Sequence, residues 1–188
     1  MSAMRSSSDR WGSGAMAFHW IVALLVIGQW GLGYVMHEFV ENLEDKYVLY
    51  QLHKSIGFTL FLIVIARILW RLSERATPQV PASATRLERL LAHATHVGLY
   101  LLLLLMPISG WISTETSKLD IPTIIFGLFT LPDPFGPNET LHELFEEVHE
   151  ILAFLLVILL VLHIGAALRH HFLLKDDVLR RMLPVRMQ

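Results

Sequence analysis

Four long apolar segments are the feature that most constrains what this chain can fold into. A helix that crosses the hydrocarbon core of a bilayer needs roughly 20 mostly apolar residues. Four segments meet that requirement, at about 15–37, 49–71, 91–113 and 146–169. Because backbone amide and carbonyl groups cannot stay unpaired in lipid, segments of this kind must be helical. The sequence predicts an all-α integral membrane protein, a four-helix bundle that forms a single domain over residues 1–188.

Composition agrees with a membrane protein and excludes several kinds of site. Only 17% of the residues are charged, whereas a soluble globular domain carries about 25%. The chain has no cysteine, which rules out disulfides, thiolate metal sites, iron–sulfur clusters and covalent attachment of haem through a C-x-x-C-H motif. We expect the membrane lipid to be a partner and expect no nucleic-acid partner.

Basic residues are sorted between the connections, and this sorting predicts the orientation. Twelve of the 15 lysines and arginines lie in the N-terminal tail, in the second connection with its flanks, and in the C-terminal tail. The positive-inside rule assigns such segments to the cytoplasm. The first and third connections are rich in Glu and Asp instead. Both termini are therefore predicted to be cytoplasmic. The third connection also contains an apolar stretch, "IPTIIFGLFTLPDPFGP", whose prolines leave it too short to span, and we predict that it lies on the outer membrane surface as a lid.

Four histidines in the apolar segments fall at two depths. His149 and His163 are 14 residues apart, which is about 21 Å and nearly four turns of an α-helix, so the two rings share one face. His53 lies near the outer end of the second segment, and His19 lies near the cytoplasmic end of the first. The pattern predicts an outer level with His53 and His149 and an inner level with His19 and His163.

Imidazole pairs at two levels suit two stacked haems. An ionisable side chain inside a bilayer is costly and is a functional-site hypothesis by default. A neutral imidazole is a good ligand for haem iron, and helix bundles build cofactor sites from side chains on facing helices. Packed histidines that only bond their neighbours are one alternative. A zinc site or a histidine-based metal or proton transporter is another, although zinc prefers four ligands at one depth.

Other ionisable residues have two interpretations each. Arg67 is 14 residues after His53 and faces the same interior; it could bind a haem propionate or reach the lipid headgroups. His37 is a substitute for His53 at the outer level but lies at the water interface. The remaining three histidines are assigned to surfaces or to a quinone site: His93 and His96 at the start of the third segment, and His142 at the outer mouth.

The end of the fourth segment has a cluster of its own. Arg169, His170 and His171 lie where this helix leaves the apolar core. A quinone site needs an apolar slot and donors that can also pass protons, which histidine can supply. Trp20, beside His19, could provide an aromatic wall. A basic cluster that anchors the helix to anionic lipid is the alternative interpretation.

At this point the chain resembles a known family, the prokaryotic cytochromes b561, which include four-helix b cytochromes of bacterial inner membranes. The segments that carry the resemblance are "AFHWIVALLVI", "QLHKSIGFTLFLIVIARILWRL", "LAHATHVGLYLLLLLMPISGW", "VHEILAFLLVILLVLHIGAALRHHF" and "KDDVLRRMLP". The resemblance implies two non-covalent haem b groups whose axial iron ligands are His19, His53, His149 and His163. It also implies electron transfer from a donor at the outer face to membrane quinone, with ubiquinone as the acceptor near the cytoplasmic end of the fourth helix and His170 ahead of His171 there.

One branch of that family resembles an enzyme that takes electrons from superoxide and reduces ubiquinone. An anionic substrate calls for positive potential at the outer face. This chain instead has the acidic outer segments "HEFVENLEDKYVLY" and "NETLHELFEEVHE". A cationic redox protein or a neutral reductant is therefore an equal candidate for the donor. The chain could also serve as a haem-bearing membrane anchor for a partner redox protein.

Overall fold

Four long helices make up most of the fold. A computed structural model describes residues 4–81 and 84–184. In it, α1 is Ser13–Glu38, α2 is Leu43–Ser73, α3 is Arg86–Glu115 and α4 is Glu139–Arg169, and a π-helical turn over His170–Leu174 continues α4. A single 3-10 turn, Arg180–Met182, follows. All four helices are long and apolar enough to cross a membrane, which confirms the predicted all-α bundle.

Side-chain caps set where three of the helices begin. The Asn42 side chain accepts the backbone N–H groups of Glu44 and Asp45 at the start of α2. Thr85 and Glu88 form a reciprocal capping box at the start of α3. Such caps bond amides that have no partner inside the helix. As a result, α2 and α4 start in polar sequence, ahead of the apolar segments that were predicted to begin at about 49 and 146.

The helices pack as two pairs. α1 lies along α2 and α3 lies along α4, and contacts between α2 and α3 join the pairs. An apolar core occupies the middle of the bundle, and its buried residues are Val22, Val26, Leu60, Val64, Leu102, Leu103 and Leu156. Leu156 is halfway between His149 and His163 along α4. The core therefore separates the two levels at which the histidines lie.

The connection between α3 and α4 contains a small hairpin that the all-α prediction did not include. Strand β1, Ile124–Ile125, pairs antiparallel with β2, Phe129–Thr130. Phe126 and Gly127 both have positive φ, of 48° and 73°, as tight hairpin turns require. The N–H of Phe126 donates to the hydroxyl of Ser55 over 2.9 Å. Ser55 is buried in α2, two residues from His53, so the hairpin folds against that part of α2.

The two tails meet at one end of the bundle, as an even number of helices requires. The indole N–H of Trp20 donates to the carbonyl of Met182 over 2.9 Å, and Nη2 of Arg10 donates to the carbonyl of Leu183 over 2.5 Å. The close start of α1 depends on Gly14, because a Cβ there would lie 2.4 Å from the ring of Trp70. The side of the membrane on which this end lies stays a prediction.

Candidate functional site

The structure brings the four predicted histidines together as two pairs. We call His53 and His149 the outer pair, and His19 and His163 the inner pair, after the predicted orientation. The ring centroids of the outer pair are 6.5 Å apart, and those of the inner pair are 6.1 Å apart. Each pair takes one ring from α4 and the other from the α1–α2 half of the bundle. All four side chains are half-buried.

These separations fit one metal ion between the two rings of each pair. A coordinating imidazole nitrogen lies about 2 Å from a metal ion and roughly 1 Å from its own ring centroid, so two rings on opposite sides of one ion have centroids about 6 Å apart. Both pairs match that value. No group of three or more histidine, aspartate or glutamate side chains in the described residues could hold a metal ion. The donor set therefore suits haem iron, whose macrocycle supplies the other ligands, better than zinc.

His149 has the surroundings expected of a metal ligand. Its Nδ1 lies 3.1 Å from the carbonyl oxygen of Met106 and 3.0 Å from Oγ of Ser109. Metal-binding histidines almost always donate their second N–H to a carbonyl, carboxylate or water. With the proton on Nδ1, Nε2 is left as the free nitrogen. Gly110 makes this position possible, because a Cβ there would lie 3.0 Å from Cε1 of His149.

His53 has a less complete environment. Its Nδ1 is buried and bonds no partner within residues 4–81 and 84–184. A Cβ on Gly33 of α1 would lie 3.4 Å from Cε1 of His53, so the ring packs closely on α1. Gln29 of α1 donates to the backbone carbonyl of His53 over 2.6 Å. A buried ring with an unpartnered nitrogen fits a residue whose function requires a ligand.

Arg67 lies at the inner pair. Its Nη2 is 3.2 Å from Nδ1 of His19, and its guanidinium carbon is 5.2 Å from the ring centroid of Tyr100. The cation is therefore placed beside an imidazole of the inner pair, at the depth that the sequence offset predicted. Binding of a propionate by Arg67 stays a prediction.

His96 was assigned to a surface or quinone role, but it lies beside the inner pair. Its ring centroid is 5.3 Å from that of His163, and its Nδ1 is 2.6 Å from the carbonyl oxygen of Ala92. The sequence signal was weak because α3 has no second histidine at a matching depth.

Two other histidines lie apart from both pairs. The His37 side chain is 72% exposed and contacts Glu38, which agrees with the choice of His53 over His37. His142 is half-buried rather than solvated, with its Nδ1 2.8 Å from the carbonyl oxygen of Ser113.

The end of α4 forms a second cluster next to the inner pair. The π-helical turn ends at Lys175, whose φ of 54° turns the chain back toward the helix. Nδ1 of His170 then lies 2.5 Å from Oδ2 of Asp176, and both side chains are about four-fifths buried. Nδ1 of His171 is buried and unpartnered in the described part of the chain. Asp176 was missed from the sequence, where only the "KDD" after the helix pointed to it.

Trp20 and Arg169 both contact other parts of the fold. The Trp20 ring is 5.1 Å from the ring of His19, and its indole N–H is bonded to the C-terminal tail. Arg169 binds the carboxylate of Glu88 over 3.0 Å. The guanidinium therefore connects the end of α4 to the start of α3.

Comparison with known proteins gives a consistent result over nearly the whole chain. A family model described as prokaryotic cytochrome b561 matches residues 10–185. The chain is 37% identical to "Cytochrome b561 homolog 2" of Escherichia coli (strain K12) over 181 residues, which are 95% of this chain and 93% of that protein. It is 32% identical to "Probable superoxide oxidase CybB" of Yersinia pestis over 169 residues, 90% of this chain and 93% of that protein. "Cytochrome b561 homolog 1" of Escherichia coli (strain K12) is 24% identical over 179 residues, 95% of this chain and 99% of that protein.

Proposed function

Because the chain belongs to the prokaryotic cytochrome b561 family, we propose that it passes electrons from a donor at the outer face of the bacterial inner membrane, through two haem b groups, to quinone near the cytoplasmic face. Family membership makes it a multi-pass membrane electron-transfer protein that carries haem b. The number of haems, the donor, the acceptor and the orientation are the parts that we propose. The observation that carries the proposal is the pair of imidazole separations, 6.5 and 6.1 Å, at two levels of one bundle.

The outer pair would hold one haem and the inner pair the other. When bound, haem iron supplies reversible one-electron transfer between its ferric and ferrous states. The protein supplies orientation and a dry environment. The carbonyl of Met106 fixes the ring of His149, and Arg67 offers a guanidinium to a propionate at the inner pair. The apolar core around Leu156 keeps water out of the layer between the pairs.

The cluster at the end of α4 supports quinone as the acceptor. Reduction of a quinone to a quinol needs two electrons, which arrive one at a time, and two protons, which would come from the cytoplasm. Asp176 holds Nδ1 of His170 and so leaves Nε2 to donate a hydrogen bond and then a proton to a quinone oxygen. Trp20 would form an aromatic wall of the slot, with His171 as a second donor. Ubiquinone is the acceptor that the family resemblance favours, and anchoring to anionic lipid is the competing role for this cluster.

Superoxide is a second candidate for the donor, because a relative with 32% identity is named as a probable superoxide oxidase. Each superoxide would give up one electron and leave as O₂, and two would reduce one quinone. Charge argues against an anion, since Lys118 is paired with Glu139 and Lys54 donates to the carbonyl of Pro122. A basic redox protein, with this chain as its membrane anchor, fits the acidic outer face better. Rates measured at low and high salt separate the two, because salt weakens an attraction and relieves a repulsion.

The decisive experiment is a count of haem per chain with single histidine variants. We expect two haem b groups per chain in the purified protein. His53→Ala and His149→Ala should lose one and the same haem, and His19→Ala and His163→Ala should lose the other. His37→Ala is the matched control and should keep both. A single haem per chain, or loss of the same haem from His53→Ala and His163→Ala, would overturn the proposal, and absence of haem would favour a histidine-based transporter.

A further inference from the structure

The charged groups around the inner pair are cationic. Arg67 lies 3.2 Å from Nδ1 of His19, and Arg71 follows one turn later on α2. Carboxylates are distant along every helix at this level. α1 has none before Glu38, and α4 has none between Glu150 and Asp176. Asp176 is already bound to His170, and Glu88 at the start of α3 is bound to Arg169.

The charged groups around the outer pair are mostly anionic. Glu146 lies one turn before His149 on α4 and shares its face, and Glu147 and Glu150 flank the same turn. Glu115 of α3 is 93% buried on this side of the bundle and accepts a hydrogen bond from Thr123. The one nearby cation is Lys54, whose ammonium donates to a backbone carbonyl over 3.4 Å.

These two environments act oppositely on a bound haem. Oxidised iron carries one more positive charge than reduced iron, so nearby carboxylates stabilise the oxidised state and nearby cations stabilise the reduced state. The hydrogen bond from His149 to the carbonyl of Met106 makes that imidazole a stronger base, which again favours oxidised iron. We infer that the haem held by the outer pair has the lower reduction potential, and that Arg67 is the residue that raises the potential of the inner one. This inference rests on the proposed two-haem function.

The consequence is a direction for electron flow. An electron that moves from the outer to the inner level travels toward the negative side of an energised membrane, and the membrane potential opposes that step. A higher potential at the inner level offsets this opposition. Arg67 therefore acts as a positioning residue that makes electron transfer toward the quinone favourable, in addition to any contact with a propionate.

The test is a redox titration of the holoprotein followed by visible spectra, with the histidine variants used to assign each haem. We expect the inner haem to be reduced first. Arg67→Gln should lower the preference of the electron for the inner haem by about tenfold, the scale of one unit charge at this distance in a protein, and should leave the outer haem unchanged. Arg67→Lys keeps the charge and should keep the order. Arg71→Gln, the matched loss of charge one turn away, should have a smaller effect.

Three results would overturn the inference. The outer haem could be reduced first, Arg67→Gln and Arg71→Gln could shift the inner haem equally, or Arg67→Lys could shift it as far as Arg67→Gln. If Arg67→Gln loses the inner haem, Glu146→Gln decides instead, because removal of that carboxylate must raise the potential of the outer haem. Failure of the two-haem proposal is seen separately, as the absence of a second haem in the unaltered protein.

Discussion

Replacement of Gly110 by alanine tests whether the close approach of α3 to His149 defines the outer haem site. The new Cβ would lie 3.0 Å from Cε1 and 3.1 Å from Nδ1 of His149. Carbon atoms in contact prefer about 3.5–4.0 Å, so the ring must move by roughly 0.5 Å. Metal–ligand distances tolerate about 0.2 Å. Overpacking of this kind costs about 1–3 kcal/mol, which corresponds to a roughly 5- to 150-fold loss of affinity for haem at the outer site.

The measurement is a haem titration of the apoprotein, with the outer haem identified by its absence from His53→Ala. Gly31→Ala is the matched control, because a Cβ there meets no atom within 4 Å. Each alanine also gains up to about 1 kcal/mol of helix propensity, and the control measures that gain alone. We expect Gly110→Ala to lose outer haem selectively and Gly31→Ala to keep both. Unchanged affinity at both sites in Gly110→Ala would refute the idea that His149 holds the outer haem in the position seen here.

Two further predictions concern the ends of the bundle. Asp176→Asn should slow quinone reduction by tenfold or more with both haems retained, since positioned proton transfer contributes about 10²–10⁴-fold; Asp177→Asn, on an exposed side chain, is the control, and equal rates in the two variants would leave the lipid-anchor role. Ser55→Ala should cost about 1–3 kcal/mol, because the N–H of Phe126 loses its acceptor, and faster hydrogen exchange at that amide would report it. Thr59→Val removes a hydroxyl bonded only within α2 and should leave that exchange unchanged, so a loss of protection common to both variants would count against Ser55 as the anchor of the hairpin.

The sequence predicted the four helices well because bilayer thickness imposes one requirement on each of them. A span must be long, apolar and internally bonded, and all three properties are local. The starts of α2 and α4 are set differently. Asn42 and Asn138 cap polar first turns that stand ahead of the apolar segments, so a search for apolar length begins several residues too late at both.

The features that sequence reasoning missed depend on contacts between distant segments. The hairpin at Ile124–Thr130 forms where Ser55 and Gln51 of α2 bond its backbone, and a stretch with four prolines gives no strand pattern of its own. His96 lies beside His163 because α3 and α4 are neighbours, which the single histidine-bearing turn on α3 does not reveal. Asp176 reaches His170 only after the π-helical turn and the left-handed Lys175 reverse the chain.

The pairing of levels succeeded because antiparallel neighbours keep one register over the whole bundle. On α2, His53 and Arg67 are 14 residues apart, and their neighbours on α1, Gly33 and His19, are also 14 residues apart. The same step separates His149 from His163 on α4. Straight helices with a common rise carry an offset unchanged from one helix to the next, so depth along each helix could be counted from the sequence. The direction of each ring around its helix could not be counted in this way. Glycine opposite His53 and arginine opposite His19 show why the two levels, equal in spacing, differ in charge.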